Sequence, residues 1–173
     1  VRKIFAHPSV LRRHLAVDDL ECLVNEHPDS RIARYTHWTI SLSSQAIVQA
    51  LTQIGLTVDA VSGLVVNTCT GYICPGISTY LIEKLGLPDH IRAHDLVGSG
   101  CGGAVPNLQI CEDMLKATGE GVVVSVSVEI CSATFQMADD LSLFLSANTN
   151  KFTAWFVTRS QFVLFADFIK LCE

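Results

Sequence analysis

The chain has 173 residues, of which 49% are hydrophobic and 17% are charged. This length is enough for one domain with its own core, and the apolar composition is typical of a sheet buried on both faces rather than of a disordered chain. The net charge of -5 offers no basic surface to a nucleic-acid backbone, which excludes nucleic acid as a partner. No apolar run reaches the roughly 20 residues of a membrane-spanning helix, so we expect no membrane segment.

The chain carries seven cysteines and no signal-peptide pattern. Secreted small domains pair their cysteines, whereas an odd number leaves one over, so the count favours free thiols in a reducing compartment. We therefore expect a cytoplasmic protein. No C-x-x-C pair is present, and we expect no metal site.

The first predicted element is an amphipathic helix from Ser43 to Ile54, with Ser43 or Ser44 as its N-cap and Gly55 as its end. The segment "AVSGLVVNT" then predicts a buried strand. Pro75, a residue type preferred in the first turn of a helix, introduces "PGISTYLIEKLG", a predicted helix that ends at Gly86.

The next predicted elements are a short strand, "HIRAHDLV", a glycine-rich turn and a second amphipathic helix. Four residues of that helix fall on one face, namely Ala104, Leu108, Cys111 and Leu115. The β-branched run "GVVVSVSVEI" predicts another strand. Strands that alternate with helices predict an α/β domain with a mainly parallel sheet covered by helices on both sides.

The composition changes after about Ser146, where aromatic residues become frequent and glycine disappears. One interpretation is a terminal helix or strand that covers a hydrophobic face. The other is that this segment stands in place of a larger missing piece. The sequence alone leaves both interpretations open.

The turn "GSGCGG" has two possible functions, and the first is to bind a phosphate. Gly98, Gly100 and Gly103 satisfy the dinucleotide pattern G-x-G-x-x-G between a strand and a helix. In that case the pyrophosphate would lie at the helix N-terminus and Glu129 would bind a ribose. Three features count against it: a cysteine, for which a phosphate site has no use, lies between Gly100 and Gly103; Glu129 lies farther on than the usual spacing of about 20 residues; and we expect Pro106 to strain the helix start.

The second possible function is to present the sulfur of Cys101. A cysteine after a tight glycine turn and at a helix N-terminus has its thiolate favoured by the helix dipole and by unpaired N–H groups. Its small neighbours leave room for a substrate. Cys101 is therefore a candidate nucleophile, although buried free cysteine is the commonest fate of the residue type and is the interpretation that suits Cys111.

Three segments together resemble a known family. They are "NTCTGYICPG" (Asn67 to Gly76), "IRAHDLVGSGCGGAVPNL" (Ile91 to Leu108) and "VVSVSVEICSATF" (Val123 to Phe135). In order and spacing they are similar to the amino-terminal half of the chalcone and stilbene synthase-like enzymes, the type III polyketide synthases, in their bacterial form. The resemblance spans roughly Arg12 to Ser146.

This resemblance implies one half of a thiolase-like fold and an acyltransferase reaction. Cys101 would take an acyl group from an acyl-coenzyme A thioester, and malonyl-coenzyme A would then extend it by decarboxylative condensation. Coenzyme A thioesters are thus the expected small-molecule partners, and no bound cofactor is expected. The resemblance also implies that Cys69, Cys131 and Thr134 line the substrate cavity, and that Cys74 lies on a loop that reaches toward the partner subunit of a homodimer.

In the family, the histidine and asparagine that assist condensation come from the second half of the fold. We therefore expect residues 1–146 to form the amino-terminal catalytic half, residues 147–173 to be a divergent tail, and the carboxy-terminal half to be missing. Such a truncated product would keep the nucleophile and at most acylate itself. The alternatives are a non-catalytic half-domain that pairs with another chain through its sheet edge and, third, a dinucleotide-binding domain.

Overall fold

A computed structural model describes residues 15–23, 26–135, 151–158 and 162–165. Its five strands form one sheet; they are β1 (Val61–Thr68), β2 (Arg92–Val97), β3 (Val122–Glu129), β4 (Lys151–Thr158) and β5 (Phe162–Phe165). The strand order is β2-β1-β3-β4-β5. β1 pairs in parallel with β2 and with β3, whereas β4 is antiparallel to both β3 and β5. The expected parallel sheet is therefore confirmed, with an antiparallel pair added at one side.

In the described residues three helices cover the sheet; they are α1 (Pro28–Gln53), α2 (Ile77–Leu85) and α3 (Ala104–Thr118). Neighbouring residues of a strand point to opposite faces, and the core is divided accordingly. Val66 and Val124 pack in a cluster with residues of α1 and α2. Val65 and Val123 pack with α3 in a second cluster. The predicted α/β architecture with helices on both faces is thus confirmed.

The first predicted helix is correct in its end and wrong in its start. It begins at Pro28 rather than at Ser43, and the imidazole of His27 caps it by accepting a hydrogen bond from the Asp29 N–H (3.3 Å). Ser43 and Ser44 are buried inside the helix, so neither is an N-cap. Gly55 follows the helix with a φ of +70°, a conformation that favours glycine.

The helix predicted to begin at Pro75 begins instead at Ile77, with Gly76 as its N-cap. The Asp95 carboxylate of β2 supplies the cap that Gly76 lacks, since it accepts hydrogen bonds from the backbone N–H (3.1 Å) and the hydroxyl of Ser78. A β-carbon on Gly76 would collide with that carboxylate. The predicted end is confirmed, because Gly86 adopts the left-handed conformation (φ +62°).

The aromatic-rich region contributes the strands β4 and β5. All eight residues of β4 pair with β3, from Val122 opposite Thr158 to Glu129 opposite Lys151. These strands therefore extend the sheet sideways instead of lying across one of its faces. None of the helices in the described part of the chain is long and apolar enough to span a bilayer.

Candidate active site

The candidate site lies where the three parallel strands end. The register pairs Thr68 with Val97 and Asn67 with Ser127, so β1, β2 and β3 finish at the same edge of the sheet. In open α/β sheets, binding sites form at the carboxyl ends of the strands. Three thiols follow these ends, namely Cys69 after β1, Cys101 after β2 and Cys131 after β3.

The turn that carries Cys101 is built on glycine. Gly98 (φ +80°) and Gly100 (φ +62°) adopt the left-handed conformation that other residues rarely accept. A short 3-10 turn, Gly100–Gly102, follows, and the Gly103 N–H donates to the Gly100 carbonyl (3.1 Å) just before α3 begins. Cys101 is exposed at this point and forms no disulfide. The thiol is therefore accessible to a substrate at the start of a helix.

Pro106 does not strain the start of α3, so that part of the sequence argument against a phosphate is wrong. It is the third residue of the helix, where an N–H group has no partner within the helix in any case. The N–H of the next residue, Asn107, is the first to donate back along α3, to the carbonyl of Gly103 (3.1 Å). The proline therefore removes one unpaired donor and no helical hydrogen bond.

The Glu129 carboxylate is engaged within the chain. Both of its oxygens accept from the backbone N–H of Cys69, at 3.0 and 3.1 Å. This contact joins the end of β3 to the loop after β1. Glu129 is the residue to which the dinucleotide interpretation assigned the ribose, and its carboxylate is occupied by the Cys69 N–H instead.

The Cys69 thiol is held in its neutral form. Loss of solvent around the sulfur, followed by the charge of Glu129, raises the pKa of Cys69 to about 12. The charges of Cys101 and Cys131 would act in the same direction, and both residues follow strands that end at the same edge of the sheet as β1. The structure thus brings Cys69 and Cys131 together with Cys101.

Thr134 and Cys74 are placed differently. Thr134 ends the short turn Cys131–Thr134, and its hydroxyl donates to the carbonyl of Cys131 (2.8 Å). Cys74 is exposed on the loop between β1 and α2, three residues before that helix begins. The first therefore lies on the loop after β3, and the second lies on a loop at the surface.

A family model described as FAE1/Type III polyketide synthase-like protein matches residues 21–153. The chain belongs to this family. The match contains the whole parallel sheet and the glycine turn that carries Cys101.

Known proteins similar to this polyketide synthase-like chain agree with that assignment. The 3,5-dihydroxyphenylacetyl-CoA synthase of Streptomyces toyocaensis is 27% identical over 140 residues, which are 79% of this chain and 36% of that protein. The acylalkylpyrone synthase CsyB of Aspergillus oryzae is 32% identical over 98 residues, which are 56% of this chain and 25% of that protein. The chain therefore spans less than half the length of these curated relatives.

Solved structures show the same fold. The C-terminal type III polyketide synthase domain of Steely1 from Dictyostelium matches with a TM-score of 0.79 at 22% identity, covering 94% of this chain and 48% of that one. CsyB complexed with CoA-SH matches with a TM-score of 0.58 at 27% identity, covering 61% of this chain and 29% of that one. The thiolase-like fold expected from the sequence is thereby confirmed.

The polyketide synthase-like chain also contains a buried amide that sequence reasoning missed. Asn107 is fully buried, and its Nδ2 lies within hydrogen-bond distance of the carbonyls of Val65 (3.2 Å) and Val126 (3.0 Å) and of the Asn67 side-chain oxygen (2.8 Å). Its own side-chain oxygen accepts from the Ser125 hydroxyl (2.7 Å). The signal in the sequence was a polar residue at helical spacing between the apolar positions of α3.

In the described parts of the chain, no group of three or more histidine, cysteine or acidic side chains is arranged to hold a metal ion.

Proposed function

We propose that this chain transfers an acyl group from a coenzyme A thioester to Cys101, as part of a type III polyketide synthase reaction. The observation that carries the proposal is the exposed Cys101 thiol at the carboxyl end of β2 and the start of α3, in a chain of this family. A helix N-terminus favours a thiolate, and a thiolate both attacks a thioester and leaves from one.

The chemistry balances with the groups named. The Cys101 thiolate attacks the carbonyl carbon of the acyl thioester, a new carbon–sulfur bond forms, and the bond to coenzyme A breaks to release its thiolate, which takes up a proton. In the second step malonyl-coenzyme A loses carbon dioxide, and the resulting carbanion attacks the acyl carbon and displaces Cys101. The product is longer by two carbons.

The first of these steps is the one we propose for this chain by itself. All six histidines precede Cys101, and only His94, on β2, lies within the three segments that resemble the family. The resemblance assigns the assisting histidine and asparagine to the second half of the fold. On this proposal residues 1–146 are the amino-terminal catalytic half, residues 147–173 are a divergent tail, and self-acylation is the activity to measure.

We propose that Cys69, Cys131 and Thr134 line the cavity that receives the acyl chain. Their support is position, because all three lie on loops at the sheet edge that carries Cys101. A Cys69 thiol with a pKa of about 12 stays uncharged at neutral pH, so it suits an apolar acyl chain and does not compete as a nucleophile. The complex of CsyB with CoA-SH supports coenzyme A thioesters as the substrate class.

Intact-mass spectrometry after incubation with a panel of acyl-coenzyme A thioesters tests the acyl transfer. We expect a mass gain of one acyl group that is lost in Cys101→Ala and kept in Cys74→Ala, a matched control because Cys74 is also an exposed thiol. A gain that survives in Cys101→Ala would assign the acceptor to another residue. No gain in the unsubstituted protein would contradict the proposal and favour a non-catalytic half-domain.

We further propose a homodimer in the cytoplasm, with Cys74 on a loop facing the partner subunit. Two observations support the dimer: β2 is an edge strand of the described sheet, and Tyr72, on the loop of Cys74, is 72% exposed. The compartment is supported by the free thiols, since the cysteines from Cys69 to Cys131 form no disulfide. Sedimentation equilibrium over a range of concentrations tests the dimer. A monomer at every concentration would contradict it.

A further inference from the structure

The turn of Cys101 is connected to the interior of the sheet through two asparagines. Asn67, at the end of β1, accepts hydrogen bonds with its side-chain oxygen from Asn107 (2.8 Å) and from the Ser127 hydroxyl (2.7 Å). Its Nδ2 lies only 2.9 Å from the position that a β-carbon on Gly103 would occupy. Gly103 is two residues after Cys101, so the amide of Asn67 lies against the turn that carries Cys101.

The pair of asparagines is held rigidly. Asn107 is fully buried and Asn67 is 4% exposed, and each amide is hydrogen-bonded to groups on other elements. Inside a protein, a polar network with its partners in place fixes one arrangement, because any movement leaves a buried donor or acceptor unpaired. Asn67 therefore cannot swing away from Gly103 while Asn107 keeps its bonds.

The contact between Asn67 and Gly103 constrains both residues. Gly103 has a right-handed helical conformation (φ -58°, ψ -23°) that any residue can adopt, so the conformation itself does not require glycine. What requires glycine is space, since an added β-carbon would lie 2.9 Å from an amide that is tied in place. The network and the turn are thus packed against each other without a gap.

We propose that Asn107 is a positioning residue for the nucleophile: by holding Asn67 against Gly103 it fixes the turn that presents Cys101. The role of Cys101 as acyl acceptor rests on the function proposed above. The positioning of its sulfur does not, because it can be measured with a small alkylating reagent that needs no acyl-coenzyme A. A misplacement of about 1 Å in a reacting group lowers a rate on the order of a hundredfold.

The test compares two substitutions in α3 of the 173-residue chain. Asn107→Asp keeps the shape of the side chain and the oxygen that accepts from the Ser125 hydroxyl. It replaces the amide donor with an oxygen, which then faces the acceptor oxygens of Asn67, Val65 and Val126. Met114→Ala is the matched control, because Met114 is a buried residue of the same helix that packs against Val65 and Val123 in the core. Both substitutions loosen α3 and only the first disturbs the asparagine pair.

Two readouts are measured, and the first does not depend on the proposed function. Cys101 is alkylated with iodoacetamide, and peptide mass spectrometry gives the rate at each pH from about 6 to about 10, a range that brackets the ordinary pKa of a cysteine thiol. We expect Asn107→Asp to change this pH profile and Met114→Ala to leave it unchanged. The second readout is acylation, for which we expect Asn107→Asp to lower the rate at saturating thioester by about tenfold or more without changing the half-saturating concentration.

Gly103→Ala is the second variant, for the case in which Asn107→Asp does not fold. It acts on the same contact from the side of the turn, and it leaves every hydrogen bond of Asn107 to the sheet in place. We expect the same changes in the pH profile and in the rate. Its circular dichroism spectrum, compared with that of the unsubstituted protein, reports whether α3 is retained.

The outcomes separate this inference from the proposed function. An unchanged alkylation profile in folded Asn107→Asp or Gly103→Ala, or an equal change in Met114→Ala, would overturn the positioning role whether or not Cys101 accepts an acyl group. A changed profile in a protein that never acylates would support the positioning role and leave the proposed function contradicted.

Discussion

Glu129 shows how one side chain at the edge of the sheet fixes both a loop and the protonation of a thiol. Its two oxygens accept from the Cys69 N–H, and its charge adds to the loss of solvent that raises the pKa of Cys69 to about 12. A thiol in this state does not ionise at neutral pH. Cys69 follows a strand that ends at the same edge as the strand before Cys101, but it stays a neutral thiol at neutral pH.

Replacing Glu129 with Gln should make Cys69 more reactive. The amide keeps an oxygen for the Cys69 N–H but carries no charge, so the pKa of Cys69 should fall below about 12 while burial keeps it above its ordinary value. Each unit of decrease raises the thiolate fraction about tenfold at pH values below the pKa. Labelling of Cys69 by iodoacetamide at about pH 9, measured by peptide mass spectrometry, should accelerate accordingly.

The exposed Glu83 on α2 offers the control for this prediction. Glu83→Gln removes an equal charge far from the thiol and should leave the labelling of Cys69 unchanged. If Glu129→Gln labelled Cys69 at the original rate, the carboxylate would have no influence on the thiol, and burial alone would account for its high pKa.

At the scale of elements, the start of α1 is fastened to the rest of the fold by Arg34. Its guanidinium donates to both oxygens of Glu26 (2.7 and 2.6 Å), to the carbonyl of Ala16 (2.8 Å) and to the carbonyl of Ser132 (3.3 Å). The hydrogen bond from Arg34 also lowers the pKa of Glu26. One side chain thus joins the segment before α1, the helix itself and the turn after β3.

Arg34→Leu should destabilise the chain by about 3 kcal/mol, because it leaves the Glu26 carboxylate charged and without its main partner in a site where the side chain is 7% exposed. The double variant with Glu26→Leu should recover part of the loss, since it removes the buried carboxylate and leaves only the partly exposed Arg31 without its acidic partner. Urea denaturation at neutral pH measures the difference. A double variant as unstable as the single one would show that the arginine acts through its bonds to Ala16 and Ser132 instead.

The elements that local sequence predicts are those in which apolar residues dominate. Runs of valine correctly predicted β1 and β3, and single glycines correctly predicted the ends of α1 and α2, because both signals act within a few residues. The start of α1 was missed because its buried face there includes Tyr35 and Thr39, which break the apolar pattern. The periodicity becomes strong only near Ala46.

The candidate site divides in the same way. The glycine turn around Cys101 and its place between a strand and a helix could be predicted, since they depend on consecutive residues. The partners of Asn107 lie up to 42 positions away on two other strands, and Glu129 bonds a backbone group 60 positions away. Such pairings depend on the strand order, which no local pattern contains.

For the whole molecule, the antiparallel strand β4 determines whether β3 has an exposed edge. β3 is a run of mostly valine and serine, and one side of its backbone pairs with β1 and the other with β4. Without β4, the described sheet would end in a long, regular and apolar strand with unpaired N–H and C=O groups. Edges of this kind bind other chains and cause aggregation.

Ala154→Pro should therefore unpair β3 and make the protein associate. Ala154 is in the middle of β4, opposite Val126 on one side and Phe165 on the other, and proline there removes a backbone donor and cannot be accommodated in an interior strand. Amide hydrogen exchange of residues 122–129, measured by mass spectrometry, should become faster, and light scattering should rise with concentration.

Thr158→Pro, at the end of the same strand, is the control and should affect only the pairing near Val122. Exchange in β3 that stayed as slow in Ala154→Pro as in the unsubstituted protein would mean that β1 alone protects the strand, and that the aromatic-rich region is dispensable for the parallel sheet.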